Sequence, residues 1–134
     1  MRTDLPLNAL QKGIYQILHK AETVPTFDFI PKGQESMPYI WLGEQTDKMT
    51  ERNKNIVYHE ITQRIHIWSN ASGKKECNDI MNEVIYLLTN FPIEVEGHNF
   101  ISCELDSASI SGDLYEGGMT AYHGVLDFAI VIEQ

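Results

Sequence analysis

The stretch from Ile56 to Trp68 limits what this chain can fold into more than any other. Val57, Ile61, Ile65 and Ile67 fall on one side of an extended backbone, while Tyr58, Glu60, Thr62, Arg64 and His66 fall on the other. Successive side chains of a strand point to opposite faces, so this alternation predicts a long strand. A strand of that length twists, and its polar side meets water. The apolar side needs a cover, and the rest of the chain must supply it.

Two amphipathic helices are predicted to do so. Leu7, Leu10, Ile14, Ile17 and Leu18 form one apolar stripe, with Gln11, Lys12, Gln16 and Lys20 lying off it. Pro6 stands at an early helical position that tolerates it, and Pro25 closes the region. Farther on, Cys77, Ile80, Met81, Val84, Leu87, Leu88 and Phe91 recur at the spacings of a core-facing helix. Ser72, in the turn Ser69–Gly73, offers an N-cap for this helix, and Pro92 stops it.

The remaining apolar runs read as strands. Phe27 and Phe29 alternate in a short edge segment between Pro25 and Pro31, and Tyr39–Leu42 is a run of β-formers between Pro38 and Gly43. Two further strands are expected at about Asn99–Ile110 and at Thr120–Glu133. The unbroken run Phe128–Ile132 marks the latter as central and buried, and the turn-rich, acidic segment Ser111–Gly118 separates the two. Helix, two or three strands, helix, two strands is the order of an α+β fold: a mainly antiparallel sheet with two amphipathic helices packed on one face. The 134 residues fit a single domain, residues 1–134. The absence of a glycine-rich strand-to-helix turn and of regular strand–helix alternation excludes the dinucleotide-binding and P-loop readings.

The segment from Glu44 to Asn55 fits neither hydrophobic period, and Met49 is its single apolar residue. Structureless stretches of that length inside a compact domain tend to be functional or disordered. The expectation is a polar, flexible docking loop at about residues 44–55. Asp47, Lys48, Met49, Glu51, Arg52, Asn53 and Lys54 would be its contact residues, with Trp41 and Tyr58 as neighbouring aromatic anchors. Its charges cancel in a chain that is otherwise strongly acidic, so it could approach surfaces that the rest of the molecule would repel.

Nineteen acids stand against ten bases, a net charge of −9. Proteins that grip nucleic acid by its phosphates need a basic surface, because counterion release drives that binding. Direct DNA binding is disfavoured, whereas passing DNA without retaining it is not. The longest apolar stretches, Val84–Leu88 and Phe128–Ile132, are five residues each, against the roughly 20 of a bilayer span. The opening MRTDLPLN has an acid and a proline where a signal peptide needs an apolar run. The reading is a protein with no membrane segment, made in a cytoplasm-like compartment.

No catalytic, metal or cofactor site declares itself. His59 and His66 are seven apart on one strand, hence on opposite faces. His19 sits near a helix C-terminus, where the macrodipole favours a cation, and His98 sits in a turn beside Gly97. His123 and Asp127 are two pleats apart on one strand, roughly 13 Å. Cys77 lies on an apolar stripe rather than beside a base, and two cysteines make no disulfide framework. Glu94, Glu96, Glu104 and Asp106 read as the wet face of alternating strands. Tyr39, Trp41, Tyr58 and Trp68 form an aromatic set suited to a half-buried sheet or a subunit interface.

Three stretches together resemble a known family. PYIWLGE, then RIHIWSNASGKKECNDIMNEVIYLL, then AYHGVLDFAIVIE look like the tail completion, or tail-to-head joining, proteins of siphophages, of which the lambda tail terminator is a distant structural cousin. In that family a Pro-Tyr strand precedes a variable polar loop, and a long strand ending in Ile-x-Ile-Trp-Ser leads through a Ser/Gly turn into a helix. Pro38-Tyr39, Ile65–Ser69 and Gly73–Leu88 stand in those places. The resemblance implies a structural virion protein, not an enzyme, assembled in the bacterial host cytoplasm. It implies a ring, six copies in the usual architecture, at the head-proximal end of the tail tube. Its partners would be the head connector or stopper protein and the tail tube protein, with DNA passing through an acidic channel without specific binding. The alternative is a small α+β ligand-binding or regulatory module without catalysis, marked by a closed pocket with convergent polar groups.

Overall fold

A computed structural model describes residues 4–21, 24–29, 37–53, 56–114 and 120–134. The element order is α1 (Leu7–Lys20), β1 (Thr26–Phe27), β2 (Tyr39–Asn53), β3 (Ile56–Ser69), α2 (Lys75–Asn90), β4 (Asn99–Leu114) and β5 (Thr120–Glu133). The five strands form one sheet in the order β1-β2-β3-β5-β4. Every pairing is antiparallel except the short β1–β2 contact, Thr26 to Ile40 and Phe27 to Trp41. The expected α+β architecture is the observed one.

The apolar face of the sheet and the apolar stripes of both helices meet in one core. Ile40 and Leu42 of β2, Ile61, Ile65 and Ile67 of β3, and Leu126, Phe128, Ile130 and Ile132 of β5 are all buried there. They are covered by Leu10, Ile14 and Leu18 of α1 and by Cys77, Ile80, Met81, Val84 and Leu88 of α2. Each such side chain contributes about 1.5–3 kcal/mol by leaving water. Helix α1 lies over β1 and β2, and α2 over β3, β5 and β4. The fit of α2 depends on Gly124, where a Cβ would come within 2.5 Å of Met81 Sδ and 3.1 Å of Cys77 Sγ. Glycine is needed there so that the helix can approach the strand.

Several expectations shift. The segment expected as a flexible loop is strand: β2 continues through Glu44 to Asn53, pairing with β3 from Gln45–Gln63 to Asn53–Ile56. Lys54 and Asn55 lie outside the described residues. A bulge between Leu42 and Gln45 shifts the phase of β2 by one residue, and polar side chains then take the inward positions. Hydrophobic alternation is therefore lost while the backbone ladder persists.

Helix α2 starts at Lys75 with Lys74 as its N-cap residue and no side-chain cap, so Ser72 does not cap it. Ser69 instead uses its hydroxyl to donate to Glu76 Oε1 at 2.7 Å and to accept from the Ala71 amide. Phe91, expected on the core stripe, follows the last helical residue in extended backbone and is half exposed. Strand β4 runs on to Leu114, paired with Thr120, and residues 115–119 of the expected turn lie outside the description. Strand β5 is central in the sheet, but its run Phe128–Ile132 is buried only at alternate positions, with Ala129 exposed. Glu94 and Glu96 lie in the turn region before β4 rather than on a strand.

Candidate functional site

Two features concentrate the chemistry. The first is the outer half of the β2–β3 hairpin, where Gln45, Asp47, His59 and Gln63 take inward positions around Ile61. Gln45 donates through Nε2 to Gln63 Oε1 at 2.8 Å and to the Leu7 carbonyl at 3.2 Å, tying the arm to the start of α1. Two residues farther out, the fully buried His59 holds Asp47 through a 2.7 Å contact from Nδ1 to Oδ2. A carboxylate can only accept, so His59 Nδ1 carries the proton. The other ring nitrogen, Nε2, meets Gln134 Oε1 at 2.5 Å, and the Gln134 backbone N–H donates to the Val57 carbonyl. The arm is thereby fastened to the end of β5.

These contacts divide the residues expected to dock. Asp47 is buried by its bond to His59 and is not available to a partner. Lys48 and Met49 are exposed, with Met49 51% accessible, on opposite faces of the arm. Glu51 and Asn53 belong to the paired end of β2, whose strand also takes in Arg52, and Lys54 falls outside the described residues. Tyr58 lies opposite Thr50 on one side and Glu133 on the other, on the face away from the helices. Trp41 belongs to the second feature.

That feature is a network on the open face of the sheet, built from four strands. Arg64 of β3 makes a bidentate pair with Asp127 of β5, Nε to Oδ1 at 2.9 Å and Nη2 to Oδ2 at 3.0 Å. Ser107 of β4 donates to the same carboxylate at 3.3 Å. Arg64 also approaches Glu44 of β2 at 3.6 Å, and Glu44 accepts from His66 Nε2 at 2.7 Å. His66 Nδ1 lies 2.8 Å from His123 Nε2. A carboxylate can only accept, so His66 Nε2 carries a proton toward Glu44. Trp41 stacks on His66 with ring centroids 4.4 Å apart, and Trp68 on His123 at 3.9 Å. Gly43 leaves room for this packing, since a Cβ there would come within 2.7 Å of the His66 ring.

The charges of the network are settled internally. The hydrogen bonds from Arg64 hold the Asp127 carboxyl below its usual range against the opposing effect of burial. Partial desolvation of Glu44 pushes its carboxyl upward, but the bond to His66, its own backbone amide and the charges of His66 and Arg64 together leave it below the usual range. Neither cysteine is poised as a nucleophile: burial raises the Cys77 thiol to about 11 and the Cys103 thiol to about 12. Among the described residues no three His, Cys, Asp or Glu side chains are placed to hold a metal ion. The arrangement makes a rigid surface of stacked aromatics and paired charges. The grooves between α1 and β1, and between the end of α2 and β4, open to solvent.

Glu44, Arg64, His66, His123 and Asp127 escaped sequence reasoning as a group, because spacing within one strand cannot show which residues of another strand lie alongside. The usable signal was Arg64 and His66 on the polar side of β3 together with His123 and Asp127 at spacing four on β5. An antiparallel register brings both pairs together.

Comparison with known proteins gives a consistent result. The family model described as Tail completion protein gp17 matches residues 9–133. A relative of that description, the tail completion protein gp17 of Bacillus phage SPP1, is 28% identical over 136 residues, covering 98% of each chain. Among solved structures, a chain from a virion of a native gene transfer agent particle superposes with a TM-score of 0.74. It is 16% identical, over 97% of this chain and 99% of that one, a likeness of fold.

Proposed function

The chain belongs to the tail completion protein gp17 family and is a structural tail protein of a phage, and on that premise we propose that it completes the tail and joins it to the DNA-filled head. The observation that carries the reading is the family match along residues 9–133, together with a fold shared with a virion chain over nearly its whole length. In this role the chain forms a ring, six copies around the axis, at the head-proximal end of the tail tube. Its partners are the head connector or stopper protein on one side and the tail tube protein on the other. A net charge of −9 per copy supports a channel through which DNA slides, because an acidic wall offers no counterion release. No catalytic step is assigned to it.

The hairpin arm is the docking element of this proposal. Its backbone is fixed by the pairing of β2 with β3 and its inner side chains Gln45 and Asp47 are held by Gln63 and His59, so Lys48 and Met49 are presented on a preformed arm. Electron microscopy of particles produced without this chain tests the function. Full heads and finished tails lying separate are the expected result. Intact particles would overturn the reading.

A further inference from the structure

We propose that copies of this chain associate head to tail, the α1–β1 edge of one copy seated in the groove between α2 and β4 of the next. The proposal rests on the ring reading above and identifies the surfaces that would build it. The two surfaces stand at opposite edges of the sheet, since β1 and β4 end the order β1-β2-β3-β5-β4. Four strand spacings of about 4.8 Å separate them, roughly 19 Å.

Both edges expose apolar side chains that the core does not use. At the first edge Phe29 is 56% accessible and Tyr15 of α1 is also exposed, flanking a groove floored by Phe27. At the second edge Phe91, Ile101 and Leu105 are exposed around a groove that continues to Tyr86, whose ring lies 6.0 Å from that of Phe91. Neither edge is suited to extending the sheet. Strand β1 is two residues long, and β4 is interrupted by bulges at Ile101 and Asp106, which break the row of backbone donors and acceptors. Contact between copies therefore runs through side chains.

Charge selects the head-to-tail arrangement. Helix α1 carries Lys12 and Lys20 and no carboxylate, and the one acid lining its groove, Asp28, accepts from Gln11 Nε2 at 3.4 Å, whereas β4 carries Glu104 and Asp106 beside its groove and no base. Lys12 reaches Glu96 at 3.7 Å, but both side chains are mostly in water and the pair is weakly held. A two-fold contact of groove on groove would set Glu104 and Asp106 against their own copies. Edge on groove sets lysines against those carboxylates instead. A contact between different patches repeats from copy to copy and closes into a ring when the rotation allows.

Cross-linking in assembled particles tests this. Phe29→Cys and Ile101→Cys are introduced singly and together, in a Cys103→Ser background, and the particles are treated with a short bismaleimide. The double variant is expected to give a ladder of cross-linked copies. Each single variant is expected to remain monomeric, and a mixture of the two singles to give a dimer and nothing larger. Dimers from Ile101→Cys alone, or no ladder from the double variant, would overturn the proposal. A charge test runs beside it. Glu104→Lys with Asp106→Lys should lower joining in an extract at least tenfold, and adding Lys12→Glu with Lys20→Glu should restore it; failure of that restoration counts against the contact. If particles lacking the chain fall into separate heads and tails while no ladder forms, only the head-to-tail contact fails. If such particles mature normally, the function itself fails.

Discussion

The two halves of the β2–β3 hairpin turn toward the same side of the sheet with opposite chemistry. In the inner half Ile40, Leu42, Ile65 and Ile67 are buried against the helices. In the outer half, beyond the bulge, Gln45, Gln63, Asp47 and His59 flank Ile61 at the equivalent positions, and each of the four is engaged with another polar group. Apolar burial is non-directional and tolerates small adjustments, whereas a buried polar pair holds its geometry only while every member keeps its partner. The inner half anchors the fold. The outer half fixes the direction of an arm that projects a lysine and a methionine.

The largest way to break this comparison is to charge the inner half. Leu42→Asp or Val84→Asp should abolish the cooperative thermal transition, because burying an unpaired carboxylate costs several kcal/mol against a total stability of about 5–15. A full transition in either variant would mean that these faces are not core. Asp47→Ala should be milder. It leaves the His59 imidazole buried without its acceptor, a loss of about 1–3 kcal/mol, which lowers Tm by about 4–12 °C in a domain of this size. A double-mutant cycle with His59→Ala should return part of that loss, and strict additivity would show that the pair is not coupled.

A smaller effect is expected on the open face. The Asp127 carboxyl is held below its usual range by Arg64, so its contribution is present above that range. It is lost as pH falls beneath the ordinary carboxylate range, toward the lower pH at which the folded group takes up its proton. Asp127→Asn should reduce stability at neutral pH and flatten this part of the acid dependence, read from denaturation curves between pH 7 and 3. An unchanged acid slope would remove the pair from the account. Least of all should the tip of the arm affect stability: Lys48→Glu with Met49→Ser should leave Tm within about 1 °C. Head joining in an extract should nevertheless fall severalfold, and normal joining would sink the docking role of the arm.

Phe91 and Glu44 illustrate where sequence periodicity stops being informative. The helical spacing of α2 extends formally to Phe91, yet Pro92 ends the helix one residue before it, and extended backbone turns the ring outward. Glu44 stood in a stretch with no period, because one bulged residue and two inward polar positions erased the alternation that marks a strand. In both cases a local irregularity overrode a pattern that holds only while the backbone repeats.

The sequence by itself determined the α+β class, the two amphipathic helices, the long central strands, the strongly acidic net charge and the family. These depend on periodicity, composition and residue order, which a single chain carries along its length. Tertiary structure alone decided that β2 runs on into an arm, that Asp47 is sealed by His59 and Gln134, and that Glu44, Arg64, His66, His123 and Asp127 form one network. It also decided that two apolar patches stand at opposite edges of the sheet. The physical reason is the same throughout: strand register and edge position arise from pairing between segments far apart in the chain, and no periodicity within one segment encodes them.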